Sequence, residues 1–139
     1  MDTDLRLVEG PPSIDDYLRL RAESGLTPRS REQAEAGVAG AWLAVHVVDA
    51  VSGETVGMGR CIGDGGWYFH IIDMAVLPTY QRRGIGAAVL VALLDAIADR
   101  APSGAYVTLL ADVPGRPLYA RHGFVETGPT TVGMMLAPR

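Results

Sequence analysis

Two arginines and two glycines stand between a proline and an apolar run in the segment PTYQRRGIGAAV, residues 78–89. Glycine is costly at the start of a helix because it loses more conformational entropy on folding than other residues. A turn that leads into a helix N-terminus nevertheless presents unpaired backbone N–H groups and about half a positive charge. Turns of this kind bind phosphates and other anions. We therefore expect an anion site at residues 82–87.

Two common phosphate motifs do not fit this segment. A P-loop requires Lys and then Ser or Thr after its second glycine, whereas Gly86 is followed by Ala87 and Ala88. The dinucleotide-binding fingerprint requires a third glycine where the chain has Val89. A tight turn with solvated arginines is the alternative to an anion site.

The hydropathy pattern predicts a strand before this turn and a buried helix after it. Residues 67–77, WYFHIIDMAVL, are aromatic and branched as in a strand, and Pro78 ends the run. Residues 84–100 are apolar almost all round, which is typical of a helix buried against a sheet. With the apolar run at residues 106–111, these elements predict a right-handed parallel crossover, beyond whose strand ends ligands bind.

The whole chain reads as one mixed α/β domain, residues 1–139, with a central twisted sheet of six to seven strands and about four helices. Predicted strands cover residues 4–8, 42–50, 54–62, 67–77, 106–111 and 131–136, with another short strand considered near Val125. Predicted helices cover residues 13–24, 30–40, 84–100 and part of 112–124. Ser13 is the expected N-cap of the first helix, and Ser30 and Gln33 are spaced as a capping box.

Composition excludes several classes of protein. A hydrophobic content of 48% with 20% charged residues indicates a globular fold, and the net charge of −4 argues against nucleic-acid binding. The longest apolar runs are too short to cross a bilayer, and the acidic segment MDTDLRLVEG lacks the features of a signal peptide. With Cys61 as the single cysteine, we expect a soluble cytoplasmic protein with no membrane or nucleic-acid partner.

The segment QRRGIG, residues 81–86, resembles motif A of the GNAT superfamily of N-acetyltransferases, whose signature is Q/R-x-x-G-x-G/A. The preceding DMAVLPTY, residues 73–80, is similar to the family's fourth strand and turn. LYARHGF, residues 118–124, is similar to its fourth helix, where a tyrosine is followed by a basic residue and Gly-Phe. The resemblance covers nearly the whole chain and implies the GNAT fold, with transfer of an acetyl group to an amine.

The resemblance also implies acetyl-coenzyme A as the acetyl donor, with no metal. The pyrophosphate would bind the backbone N–H groups of residues 82–87, and the pantetheine arm would pair with the strand before the turn. The implied cofactor-binding residues are Met74, Ala75, Val76, Gln81, Arg82, Arg83, Gly84, Ile85, Gly86, Ala87, Asp112 and Arg121. Asp112 stands where many members have an asparagine, and a carboxylate accepts hydrogen bonds without donating them.

Acetyl transfer to an amine needs a base, a donor for the thioester oxygen and an acid. A primary amine with a pKa near 10.4 must lose a proton, at a cost of about 4.6 kcal/mol at pH 7. His70 suits a general base, Asp73 competes if a bulge brings it to the same face, and a water chain is the third option. By resemblance, the Val76 N–H binds the thioester oxygen and Tyr119 is the general acid.

The acceptor is expected to be a small-molecule amine bound near the first two helices. The aromatic residues 67–69 could receive an aryl or alkyl amine or belong to the core, and Arg29 and Arg31 could attract a carboxylate or face water. Two other functions stay open: a non-catalytic acyl-coenzyme A sensor, and a protein or peptide N-terminal acetyltransferase. The oligomeric state is also open, with a homodimer under consideration.

Overall fold

The computed structural model describes residues 1–138, and its five strands form one sheet in chain order. The strands are β1 (Leu5–Glu9), β2 (Leu43–Asp49), β3 (Thr55–Gly63), β4 (Tyr68–Val76) and β5 (Tyr106–Leu109). The α-helices are α1 (Ile14–Glu23), α2 (Arg31–Ala39), α3 (Ile85–Arg100) and α4 (Arg116–Arg121). Strands β1 to β4 pair antiparallel, and β5 pairs parallel to β4 after the crossover through α3, as the sequence predicts.

The chain divides into two compact units. The first unit, Met1–Leu109, contains the complete five-stranded sheet and helices α1 to α3. The second unit begins at Leu110 and contains α4. Among the described residues, no helix has both the length and the apolar character needed to cross a bilayer.

Side-chain caps define the starts of α1 and α2 at the predicted residues. The Ser13 hydroxyl accepts a hydrogen bond from the Asp16 N–H at 3.2 Å. At the start of α2, the Ser30 hydroxyl accepts from the Gln33 N–H, and the Gln33 side chain accepts from the Ser30 N–H. Such caps replace hydrogen bonds that the first turn of a helix lacks, which is why both helices begin where they do.

Two glycines of β3 allow α3 to lie close against the sheet. A Cβ atom on Gly57 would lie 2.6 Å from the Ile85 side chain, and one on Gly59 would lie 2.6 Å from Val89. Ile85 is the first residue of α3 and is fully buried. The bare backbone of β3 therefore fixes the position of the helix N-terminus that the sequence singles out.

The prediction of six to seven strands is wrong, because the described chain contains five. Residues 131–136 form no strand, nor does the segment near Val125, and Met134 is 90% exposed. The apolar pattern of TVGMML fits a strand, but a strand also needs a neighbour that completes its ladder hydrogen bonds. Within residues 1–138, this segment has no such neighbour.

Candidate active site

The turn between β4 and α3 has an unusual backbone. After the short 3-10 turn Pro78–Tyr80, Arg82 has a φ of 63° and Gly84 has a φ of 82°. Both values lie in the left-handed region, which residues other than glycine, such as Arg82, rarely adopt. Helix α3 then begins at Ile85. We call residues 82–87, which include this turn and the first residues of α3, the cradle.

Six consecutive backbone N–H groups are free in the cradle. Within the described chain, none of the N–H groups of residues 82–87 donates a hydrogen bond, and the first helical bond runs from Ala88 N–H to the Gly84 oxygen. These donors lie at the N-terminus of a helix of 16 residues, where the helix dipole also attracts negative charge. Free donors in this arrangement can bind an anion such as a phosphate.

The side chains of residues 81–83 differ in what they contact. The Gln81 amide nitrogen donates to the Val76 oxygen at 3.1 Å and so ties the turn to the end of β4. The Arg83 guanidinium pairs with the Asp2 carboxylate at 2.7 Å and lies 4.9 Å from the centre of the Tyr80 ring. Arg82 is exposed. Both arginines therefore lie at the rim, and the donors of the cradle are backbone groups.

Strand β4 has an edge without a partner strand beside the cradle. Its pairing with β5 covers Tyr68–Ile71 and ends there, so residues 72–76 have no paired strand on that side within the described chain. The Leu77 N–H donates to the Val56 oxygen on the β3 side. Because successive residues of an antiparallel strand point their polar groups to opposite sides, the N–H and C=O of Val76 point to the open edge. The backbone of Met74, Ala75 and Val76 thus borders this edge.

A β-bulge in β4 changes which side chains share a face. Arg60 lies opposite Ile72 and Met58 lies opposite Ala75, so two residues, Asp73 and Met74, oppose the single Gly59. Asp73 has a φ of 59°. The Asp73 carboxylate accepts a hydrogen bond from the Arg60 side chain. Arg60 lies on the same face of β3 as Ile62, and Ile62 lies opposite His70. The bulge on which the role of Asp73 depends is therefore present, and it brings Asp73 to the same face of the sheet as His70.

Asp73 is buried in a cluster of charged and polar groups. Its side chain is 2% exposed and accepts hydrogen bonds from Arg21, Arg60 and the Tyr17 hydroxyl, each at 2.5 Å. Burial raises the pKa of the Tyr17 phenol, and the bond to Asp73 and its negative charge add to that shift. We call Tyr17, Arg21, Arg60 and Asp73 the bulge cluster. Three donors already occupy the Asp73 carboxylate.

His70 has a different environment on the same face. Its Nδ1 atom lies 2.9 Å from the Thr108 hydroxyl of β5, and within the described chain its other ring nitrogen has no hydrogen-bond partner. Burial lowers the pKa of His70 below its usual value, so the ring is neutral at pH 7. In the tautomer whose Nδ1–H donates to Thr108, the other ring nitrogen is unprotonated and can accept a proton.

The aromatic residues at the start of β4 separate into core and surface. Phe69 is fully buried, and its ring centre lies 4.6 Å from that of Trp42. Trp67 and Tyr68 are 59% and 40% exposed. Phe69 therefore belongs to the core, and only Trp67 and Tyr68 are available to a ligand. Of the two arginines considered for a substrate carboxylate, Arg31 is the first residue of α2 and forms an ion pair with Asp15.

The second unit contains the remaining predicted site residues. The Tyr119 ring packs against Phe124 at 6.0 Å between ring centres, and its hydroxyl has no hydrogen-bond partner in the described chain. Burial raises the pKa of Tyr119, and the negative charge of Asp112 adds to that shift, so the phenol is protonated at neutral pH. Asp112 precedes a short 3-10 turn, and Arg121 is exposed in the last turn of α4.

Sequence reasoning missed the role of Tyr17, Arg21 and Arg60. One local signal exists, because Arg60 interrupts an otherwise apolar strand, but no motif connects it to α1. Among the described residues, no group of three or more His, Cys, Asp or Glu side chains could hold a metal ion.

Comparisons with known proteins identify the family. The model of the acetyltransferase (GNAT) domain matches residues 30–136. A probable acetyltransferase from meticillin-resistant Staphylococcus aureus is 36% identical, with a TM-score of 0.89 over 96% of this chain and 99% of that one. A search of curated proteins found no match.

Two further structures support the fold alone, because each is less than 25% identical to this chain. A GNAT family acetyltransferase from Streptococcus pneumoniae is 24% identical, with a TM-score of 0.78 over 97% of this chain and 98% of that one. Glucosamine-6-phosphate N-acetyltransferase from Arabidopsis thaliana is 16% identical, with a TM-score of 0.72 over 95% and 97%. From the domain match and the Staphylococcus aureus relative, we conclude that the chain belongs to the GNAT family of acetyltransferases.

Proposed function

We propose that this protein is an acetyl-coenzyme A-dependent N-acetyltransferase that acetylates a primary amine of a small molecule by direct attack. The observation that carries the proposal is the cradle, whose six free N–H groups lie at the start of α3 beside the open edge of β4. GNAT acetyltransferases use acetyl-coenzyme A, which supplies the acetyl group as a thioester.

The chain's backbone accounts for donor binding in this proposal. The N–H groups of residues 82–87 bind the pyrophosphate, and Arg82 and Arg83 add positive charge at the rim. The edge formed by Met74, Ala75 and Val76 pairs with the pantetheine arm. The Val76 N–H donates to the thioester oxygen, where negative charge develops during attack, and a fixed donor there lowers the barrier.

His70 is the proposed general base. The attacking amine must be neutral, and a neutral imidazole at pH 7 with a free ring nitrogen can take its proton. Asp73 is the alternative base, but its carboxylate would have to give up one of three hydrogen bonds. The charge of Arg21 and Arg60 also favours a neutral amine over an ammonium ion nearby.

Tyr119 is the proposed general acid for the leaving thiolate. Its raised pKa keeps the proton on the phenol at neutral pH, as an acid requires. The role rests further on the likeness of LYARHGF to the family's tyrosine motif. Asp112 and Arg121 are proposed to contact coenzyme A, with Asp112 restricted to accepting hydrogen bonds.

A thiol-release assay tests the proposed reaction. Acetyl-coenzyme A is incubated with the protein and arylalkylamines, amino acids, aminosugars, aminoglycosides or short peptides. We expect coenzyme A release with at least one class of small amine. Tight binding of acetyl-coenzyme A without release would favour a sensor, and release with peptides alone would indicate an N-terminal acetyltransferase.

The variant Tyr119→Phe tests the assigned acid. Because general acid catalysis contributes about 10²–10⁴-fold, we expect kcat to fall by about 100-fold with little change in acetyl-coenzyme A affinity. Tyr106→Phe is the matched control, since it removes a phenol hydroxyl from a half-exposed residue of β5. Full turnover of Tyr119→Phe with a good acceptor would show that the acid is another group.

A further inference from the structure

The bulge cluster carries more positive than negative charge. Arg21 and Arg60 are permanently charged, Asp73 is their shared carboxylate, and the raised pKa of Tyr17 keeps its phenol neutral. One positive charge of the cluster is therefore unmatched. Buried charge without a partner is costly, so proteins normally pair it.

The unmatched charge is available at Arg60 rather than at Arg21. All three side-chain nitrogens of Arg21 donate, one to Asp73 and two to the Thr27 oxygen. Arg60 donates through Nε to Asp73 and through Nη1 to the Gly37 oxygen. In the described chain, Arg60 Nη2 has no hydrogen-bond partner, and it is not fully shielded from solvent. Arg60 therefore has a free donor that solvent can reach.

Arg60 lines a small pocket between the sheet and the first two helices. The pocket has room for little more than a water molecule, so most of a ligand bound at Arg60 would lie outside it. Arg60 and Asp73 are its only charged lining residues in the described chain. The apolar lining residues include Pro11, Pro12, Val38, Ala44 and Met58.

His70 lies near this pocket on the same face of the sheet. Arg60 is opposite Ile72, which is two residues from His70 along β4. Two strand residues span about 7 Å. A molecule of a few atoms bound at Arg60 could therefore place an amine near His70.

We propose that the acceptor carries an anionic group, a carboxylate or a phosphate, and that Arg60 binds this group through its free Nη2. This inference rests on the proposed acetylation of small amines and names the class of acceptor: a short acidic amine. Arg60 has the geometry for the task, since a guanidinium binds carboxylate and phosphate oxygens with directed donors.

Matched acceptors test the proposal on the wild-type protein. β-Alanine and 4-aminobutyrate are compared with their amides, and 2-aminoethyl phosphate is compared with ethanolamine, by coenzyme A release. We expect kcat/KM to be at least about tenfold higher for the anionic member of a pair, because hydrogen bonds to charged groups are strong. The better pair distinguishes carboxylate from phosphate. Equal turnover of both members would overturn the subsite while the proposed acetylation stands.

Variants assign the preference to Arg60. In Arg60→Met, the ratio of kcat/KM between anionic and uncharged acceptors should fall about tenfold, and in Arg60→Lys it should fall less, because charge remains without the fork. Arg100→Met, which removes an exposed arginine paired with Glu9, is the control and should preserve the ratio. An unchanged ratio in folded Arg60→Met would contradict the assignment.

A binding measurement keeps the subsite testable if no amine is acetylated, an outcome that would refute the proposed function. Propionate and propionamide are added separately to the wild type and to Arg60→Met, and thermal unfolding is followed. A ligand that binds only the folded state raises Tm. Stabilisation by propionate alone, absent in Arg60→Met, would support the subsite, and its absence in the wild type with both propionate and inorganic phosphate would overturn it.

Discussion

The cradle and the bulge cluster lie in the same unit and handle charge by opposite means. The cradle presents backbone N–H groups from six consecutive residues, of which residues 82–84 are exposed. The bulge cluster gathers side chains from three separate positions around the buried carboxylate of Asp73. Each contains a non-glycine residue with positive φ, Arg82 or Asp73. A site made of consecutive backbone groups can be predicted from a local sequence motif. A site made of distant side chains forms only when the fold brings them together.

The largest effect should come from removing the charge at the centre of the bulge cluster. Asp73→Asn keeps the size of the side chain and a residue type that tolerates positive φ, but it leaves two guanidinium groups without their carboxylate. Breaking a buried ion pair in this way costs about 3–5 kcal/mol. We expect a loss of that size in the free energy of unfolding, measured with urea.

Asp15→Asn is the matched control for this prediction. Asp15 also pairs with an arginine, Arg31, but both side chains are exposed, and such pairs contribute about 0–1 kcal/mol. If Asp73→Asn were no more destabilising than Asp15→Asn, the bulge cluster would not hold the fold together.

The next effect concerns the backbone of the cradle. Gly84→Val places a branched side chain at a φ of 82°, where it distorts the turn and its donors. We expect the Kd for acetyl-coenzyme A to rise more than about tenfold, measured by calorimetry, because aligned N–H groups carry the binding. Gly25→Val is the control: Gly25 has a φ of 86° with open space around it, so the variant has similar strain outside the cradle.

A smaller effect is expected when a rim side chain is removed instead. Arg83→Ala should raise the Kd only about threefold, and less at high salt, because exposed charges are screened. If Arg83→Ala weakened binding more than Gly84→Val, then side chains rather than backbone would be the main determinants of the cradle.

The smallest effect should appear in the pH dependence of stability. The folded-state pKa of His70 is lowered by burial, so the unfolded chain takes up this proton first as pH falls through about 6.5. The wild type should therefore lose stability below that pH, and His70→Gln should lose less. Tm values at pH 7.5 and 5.5 measure the difference, and an identical pH dependence in both proteins would contradict it.

The sequence predicts the cradle and the two helix caps because each depends on neighbours in the chain. The sequence shows only that Asp73 would need a bulge to share a face with His70. Whether the bulge forms depends on how β4 pairs with β3. The contacts of Asp73 with Tyr17, Arg21 and Arg60 were not predicted, because they join residues far apart in the chain. Tyr17, for example, is 56 positions from Asp73. The prediction of a strand at 131–136 is wrong for a related reason. The side chains of this segment fit a strand, but its own residues do not tell whether another strand is there to pair with it.

The most direct test of the account is a titration with acetyl-coenzyme A followed through backbone amide resonances. The account predicts that the amide signals of residues 82–87 shift strongly on binding, since their N–H groups gain phosphate partners, while those of Gly25 and Gly53 stay in place. Saturable binding that leaves the signals of residues 82–87 unchanged would contradict the central claim that these backbone groups hold the acetyl donor.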